Sequence, residues 1–373
     1  MKVVIISAFD TYADRVNLLK EYYQSKNLEV VVIGSDFSHR KKTRINDEVS
    51  DVVISVRAYE KNLSIARLRS HYDFSKKIKN CLEDIKPYLI HALIPPNTLV
   101  KALSEYKQKY MKTTLIFDLI DLWPETMPIE QFKGLPPFIL WKNYRDKYLD
   151  MADIIFTECD LYQEVLQTED NSKFSTLHWA RKEKVLEGNY KLEEDKLSFC
   201  YLGSINNIID IDLIIKFLRA CKMHKPVSIH IIGNGEGKES FIDQLKRNNI
   251  VVYDHGEVYS QKEKQNIFDQ CNYGLNIMKK SVVVGLTMKS LDYMCGQLPL
   301  INTIQGDTKE LCSKYNLGFT IDESNYDDIS LKVSSETIEE NFRRRECIKD
   351  IYNTIFTKDS FFSKLETRLS KYV

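Results

Sequence analysis

The residues whose spacing most clearly suits a reaction lie late in the chain, in Val284-Gly285-Leu286-Thr287-Met288-Lys289-Ser290-Leu291-Asp292, ahead of a Gly296-Gln297-Leu298-Pro299 turn. A glycine loop at Gly285 leads into a helix bearing Lys289 and Asp292. Their spacing of three residues sets both side chains on one helical face. Around a helix start made by Leu286, Thr287 and Ser290, backbone amides and an ammonium would meet a diphosphate, and the carboxylate two ribose hydroxyls. For these two residues taken alone, a Lys/Asp surface pair on an ordinary helix is the favoured reading.

Two further turns offer anion contacts. Tyr201-Leu202-Gly203-Ser204-Ile205-Asn206 runs from a strand into a glycine turn before a helix, where Gly203, Ser204 and Asn206 would bring backbone N–H groups close to phosphate. An ordinary tight turn would look the same. Asp210 and Asp212 superficially resemble a metal-binding pair, but at a helix start they read better as capping carboxylates. Gly233-Asn234-Gly235-Glu236-Gly237 closes another strand. Its Gly-x-Gly-x-Gly spacing is not the dinucleotide fingerprint, and no acidic strand end follows about 20 residues on, which disfavours a dehydrogenase.

Positioning these groups requires parallel sheets. Short β-branched runs alternate with amphipathic segments from the first residue, the signature of an α/β protein. Strands are expected over Val3–Ser7, Leu28–Gly34, Val52–Ser55, Leu89–Ala92, Thr113–Asp118 and Ile154–Glu158. A second series follows over Leu197–Leu202, Ser228–Ile232, Val251–His255, Tyr273–Ile277 and Leu298–Asn302. The chain has 373 residues, too many for one core of common size. It divides into an N-terminal Rossmann-like domain over 1–182, a charged linker over 183–196, a C-terminal Rossmann-like domain over 197–335 and helices over 336–373. Those last helices are expected to pack on the second domain, with the final one a candidate to cross back to the first.

The 53 basic and 53 acidic residues cancel, which argues against binding nucleic acid by bulk charge. Eight cysteines stand singly, without the close pairs of zinc or redox sites, and read as reduced thiols. The N-terminal apolar run is too short for a signal peptide, and no uncharged run of about 18 residues occurs. A cytoplasmic protein is expected, with any membrane contact peripheral, at the inner face of the cell membrane. Phe132–Lys147 holds apolar residues flanked by Lys133, Lys142, Arg145 and Lys147, suited to a membrane interface. Burial in the first domain explains the segment as well.

The 285–302 segment resembles the donor-binding region of family 4 glycosyltransferases of the GT-B fold, in which a run G-L-x-x-x-x-x-E-A-M-A-x-G-x-P-V-I holds the donor. Asp292 takes the place of the ribose-binding glutamate. Val284 stands where the family places an earlier carboxylate, and its usual Arg and Lys are missing around Ile205–Ile209, leaving Lys289, Lys279 or Lys280 as phosphate partners. In the N-terminal half, Asp118-Leu119-Ile120-Asp121-Leu122-Trp123-Pro124-Glu125 is similar to the family's D-x-H-D-x-W-P-E stretch, with Ile120 in place of histidine. His91-Ala92-Leu93-Ile94-Pro95-Pro96 matches its H-A-x-x-P-P loop.

The resemblance implies two Rossmann-like domains facing each other across a cleft. It also implies a retaining, metal-independent hexosyltransferase that moves sugar from a nucleotide-diphosphate donor, UDP-linked by expectation, to a glycan or polyprenyl-diphosphate-linked acceptor in bacterial polysaccharide synthesis. No cofactor is expected beyond the nucleotide sugar itself. Asp121, Glu125 and His91 are the candidates at the cleft, with no general base assigned. Asp10, Arg15, Pro96, Asn97 and Trp123 are expected on the acceptor side. Tyr59–His71 could hold an anionic acceptor, although a solvated helix with Arg and Lys outward fits it better. A nucleotide-sugar 2-epimerase of the same fold and a two-lobed binding protein remain alternatives.

Overall fold

A computed structural model describes residues 1–127, 134–166, 171–181 and 184–373. They form two compact units, Met1–Arg181 with Lys358–Val373, and Lys182–Thr357.

The first unit is built from β1 (Lys2–Ile6), α1 (Ala13–Ser25), β2 (Glu29–Ser35), β3 (Val52–Ile54), α2 (Ile65–Ile85), β4 (Leu89–Ile94), α3 (Asn97–Lys109), β5 (Thr114–Leu119), α4 (Pro136–Leu149), β6 (Ile154–Thr157), α5 (Asp160–Leu166) and β7 (Phe174–Thr176). All its strands pair in parallel, in the order β3-β2-β1-β4-β5-β6-β7. Strands β4, β5 and β6 are buried at every position, because helices cover both faces and leave no polar side to alternate with. Ser64 starts α2 by accepting the Arg67 amide on its Oγ at 3.2 Å, the usual remedy for an unpaired first-turn N–H.

The second unit follows the same plan with β8 (Leu197–Leu202), α6 (Ile211–Lys222), β9 (Val227–Ile232), α7 (Lys238–Arg247), β10 (Val251–Asp254), α8 (Gln261–Phe268), β11 (Tyr273–Asn276), α9 (Met288–Cys295), β12 (Leu300–Asn302), α10 (Asp307–Tyr315), β13 (Gly318–Thr320), α11 (Tyr326–Ser335) and α12 (Ile338–Ile355). Its parallel sheet runs β10-β9-β8-β11-β12-β13. The core packs Phe199, Tyr201, Ile229 and Ile231 of the sheet against Ile214, Phe217 and Leu218 of α6. The charged stretch before β8 is fastened to this unit: Gln297 Nε2 donates to the Leu186 carbonyl at 2.7 Å, and the Lys191 amide donates to the Asp269 carbonyl at 2.7 Å.

The last helix, α13 (Lys358–Leu369), belongs to the first unit. It buries Phe361, Leu365 and Leu369 and accepts a hydrogen bond from Tyr22 of α1 on Glu366 at 2.9 Å. α12 stays with the second unit, where Arg345 reaches the carbonyl oxygens of Gln297 and Cys271.

Candidate functional site

In a parallel sheet, ligand crevices open beyond the strand C-termini where the strand order reverses. In the second unit that point lies between β8 and β11. The turn after β8 holds Gly203 at φ +108°. The turn after β9 interlocks with it: the Gly203 amide donates to the Ile232 carbonyl at 2.8 Å, and the Ile205 amide to that of Asn234 at 2.9 Å. A Cβ at Gly233 would lie 2.2 Å from the Gly203 oxygen, and one at Gly235 would lie 2.3 Å from that of Ile205. The Gly-x-Gly spacing thus permits close backbone contact between two loops. The Gly233 and Gly235 amides are taken up by Gly256 O and Asn234 Oδ1. Ser204 is exposed at the first turn, while the Asn206 side chain caps its own turn at the Ile208 amide.

The α9 N-terminus lies on the β11 side of the reversal. Thr287 caps it by accepting the Ser290 amide at 3.0 Å. Ser290 is fully buried and bonds Asn276 at 3.0 Å, and Asn276 bonds Asn302 at 3.0 Å. Gly285 is held by two hydrogen bonds from Thr308, and Leu286 is 1% exposed. Ser290, through its bonds, holds the helix in place, and Leu286 packs beneath it. Tyr293 of α9 ties it to β8, donating to the Cys200 carbonyl at 3.0 Å and accepting the Leu202 amide at 2.8 Å.

Lys289 reaches back to the end of β8, its Nζ 4.2 Å from the Tyr201 ring centroid. That ammonium is enclosed and has no hydrogen-bond partner. Among the described residues no other lysine ammonium is in this state. Burial pushes it down to about 7, against a small upward effect from Cys200. Asp292, one turn on, accepts from Lys264 of α8 at 2.8 Å, so the two residues are not partners of each other. Lys279 and Lys280 are exposed.

In the first unit the strand order reverses between β1 and β4. Asp121, just past β5, accepts a hydrogen bond from Tyr12 at 2.9 Å. Burial lifts its carboxyl to about 6, against lowering by Tyr12 and Arg67. Glu158, at the end of β6, is raised well above the carboxylate range, by burial first and then by the Asp121 charge. Two carboxyls in one enclosed space disfavour double ionisation, an arrangement suited to handling hydroxyl protons. Asp10 accepts from Ser38 Oγ at 2.7 Å and from the His39 amide at 3.2 Å.

Several expected residues serve as framework. Arg15 and Asp118 are fully buried and joined by two hydrogen bonds of 2.6 and 2.7 Å, so Arg15 does not face an acceptor. His91 is equally buried, bonded to Tyr23 at 2.8 Å. Glu125 is gripped by Arg145 at 2.8 and 3.0 Å, and although burial alone would raise its carboxyl, that contact holds it low. Asn97, at the start of α3 behind Pro96, is fully buried and donates to the carbonyls of Trp123 and Trp141 at 2.8 and 3.1 Å. His91 Nε2 and Asn97 Oδ1 are buried without a hydrogen-bond partner. Trp123 lies under Arg67 and His71 of α2.

Tyr12 and Glu158 were not among the expected site residues, and Arg67 and His71 lay in the Tyr59–His71 segment, which read better as a solvated helix. The four-residue step from Arg67 to His71 was the one available signal. In α4, Ile139, Leu140 and Tyr144 are exposed while Trp141 is buried, and Leu135 just before the helix is exposed as well; Phe132 and Lys133 lie outside the described residues. No helix among the described residues is long and apolar enough to cross a membrane.

No family model matches the chain, and no curated protein matches it in sequence. Solved structures do resemble it over its whole length. The lipopolysaccharide outer core galactosyltransferase WaaB in its apo form superposes with TM-score 0.71 at 13% identity, covering all of both chains. HepE from Anabaena in complex with UDP gives 0.68 at 11%, again covering both chains fully. WaaG, a glycosyltransferase involved in lipopolysaccharide biosynthesis, gives 0.67 at 10% and covers 99% of each chain. With its two Rossmann-like parallel-sheet domains, the chain has the GT-B fold.

Proposed function

We propose that the protein is a retaining, metal-independent glycosyltransferase. It moves a sugar from a UDP-linked donor held by the second unit to a glycan or lipid-linked oligosaccharide acceptor held by the first, in bacterial polysaccharide synthesis. The observation carrying this reading is Lys289, an enclosed ammonium without a partner, placed at the strand-order reversal beside the N-terminus of α9. A buried cation in that state calls for an anion. A nucleoside diphosphate supplies one, and HepE, of the same fold, is described in complex with UDP.

In the reaction the bond between the anomeric carbon and the diphosphate oxygen breaks. Lys289 and the first-turn amides of α9 neutralise the departing charge in place of a metal. Asp292 holds the ribose, and the exposed turn at Gly203 and Ser204 lies against the phosphates. The acceptor hydroxyl, received at Asp121, forms the new bond on the same face, and its proton leaves with the diphosphate. The exposed apolar face of α4, beside Lys142 and Lys147, supports docking at the inner membrane surface.

The test incubates the purified chain with a panel of nucleotide sugars in EDTA, with and without lipid-linked oligosaccharide. Nucleotide release that requires acceptor is the expected result. Epimerised donor without acceptor would assign a 2-epimerase instead, and no nucleotide binding at all would end the reading.

A further inference from the structure

We propose that the Arg67–His71 face of α2 is an oxyanion-recognition site, taking a phosphate or carboxylate carried by the acceptor. The inference rests on the transferase reading for the identity of the ligand, but its physical case is local to the first unit.

α2 buries one face, apolar at Phe74, Ile78 and Leu82, and in its first two turns that same face carries Arg67 and His71. Ile65, Leu68 and Tyr72 are 69%, 42% and 59% exposed, whereas Arg67 and His71 are 2% and 4% exposed. Charged and polar side chains are almost never buried to this degree unless they are paired. The buried pair is also unsatisfied. Arg67 Nη1 donates to the Asn62 carbonyl at 2.8 Å, but its Nε and Nη2 have no partner, and neither ring nitrogen of His71 has one. Arg67 forms no ion pair among the described residues. A buried, unneutralised guanidinium is costly, and such groups in native proteins ask for a missing partner.

The geometry defines what that partner is. Arg67 lies over Trp123, its Cζ 4.1 Å from the ring centroid. His71 stacks on the same ring at 5.9 Å and 15°. Phe9 packs edge-on against His71 at 5.6 Å, and Tyr59 meets His71 edge-on at 6.3 Å. Between these walls the Nε/Nη2 edge of the guanidinium is buried without a hydrogen-bond partner. That edge is a fork matched to two oxygens of one carboxylate or phosphate. His71, whose ring burial keeps neutral with Arg67 adding to the effect, contributes one N–H. Asp121 and Tyr12 lie near enough to act on the charge of Arg67, as does Tyr59. An acceptor bearing both a hydroxyl and an anionic group would meet the carboxylate with one and the fork with the other.

The test uses the full chain with UDP at saturation, so that the Lys289 site is filled, and follows the His71 ring resonances by NMR. Glucose 6-phosphate, glucuronate and neutral glucose are titrated in separate arms. A shift of the His71 resonances with the phosphate or the carboxylate sugar, absent with glucose, is expected, and the arm that binds names the source. Arg67→Gln should weaken that binding by about tenfold or more without changing UDP affinity. Arg67→Lys, which keeps the charge and loses the fork, should fall between. Should Arg67→Gln fail to fold, the wild-type titration decides alone. No response of His71 to either anion, or equal binding by wild type and Arg67→Gln, overturns the proposal. UDP binding in the same samples keeps that failure distinct from a failure of the nucleotide-sugar reading.

Discussion

Under the proposed function, Lys289 would make nucleotide binding a proton-linked event. In the empty protein burial holds its ammonium at about 7, far below an ordinary lysine near 10.5. A diphosphate beside it would restore the charge and return its pKa toward that value. Binding above pH 7 must therefore bring in a proton, at a cost of about 1.4 kcal/mol for each pH unit above the free-state value. The UDP dissociation constant should rise about tenfold per unit, reaching about thirtyfold weaker at about pH 8.5 than on the plateau below neutrality. The terminal phosphate of UDP, with a second pKa of about 6, is already ionised in this window. Calorimetry at fixed ionic strength in buffers of different ionisation enthalpy should find close to one proton taken up at about pH 8. Stability of the empty chain moves the opposite way. A lysine depressed by folding releases its proton more readily than the unfolded chain does, so stability rises with pH between about 7 and 10.5. Lys289→Met should remove both slopes, binding UDP weakly at every pH. A UDP affinity that stays flat above neutrality, or a slope that persists in Lys289→Met, would refute the linkage.

Four further outcomes are expected. Asp121→Asn should abolish most transfer yet stabilise the protein. The raised carboxyl favours the folded state only while protonated, and that benefit disappears as pH rises through about 6, so the variant gains about 1–2 kcal/mol at neutral pH and none near pH 4, read by denaturant melts. Asp118→Ala strands the Arg15 charge and should cost about 3–5 kcal/mol, visible as an early transition of the first unit while the second holds. Gly233→Ala drives a methyl against the Gly203 carbonyl at φ +137° and should cost about 3 kcal/mol or more, whereas Gly134→Ala, with nothing within 4 Å, should stay within about 0.5 kcal/mol in the same melts. Asp292→Asn should weaken UDP binding by about 1–3 kcal/mol if the ribose hydrogen bonds go; unchanged affinity by calorimetry would remove Asp292 from the site.

The sheets were largely legible because buried parallel strands are continuous β-branched runs, as in Val3-Val4-Ile5-Ile6. β7 and β13 escaped: each is a three-residue edge strand, too short to carry a period. Lys289 was legible from its place at a helix start, but its enclosure by Tyr201 was not, since 88 residues separate them. The same holds for Arg15 and Asp118, 103 apart: a charge reads as exposed until its distant partner is known. Arg67 was misread because a charged side chain near a helix start reads as exposed, although it lies in line with His71, Phe74, Ile78 and Leu82 on the buried face of α2.

The return of α13 to the first unit bears on how the chain is made. Residues 182–357 are contiguous and leave the ribosome complete, free to fold as a block. The unit that begins first must wait until Phe361, Leu365 and Leu369 have been added, for only then is Arg15 covered at the 5.3 Å contact with Phe361. The earlier-synthesised unit is thus the later to mature, and a ribosome that stalls before residue 358 releases a chain with one finished unit and one open seam.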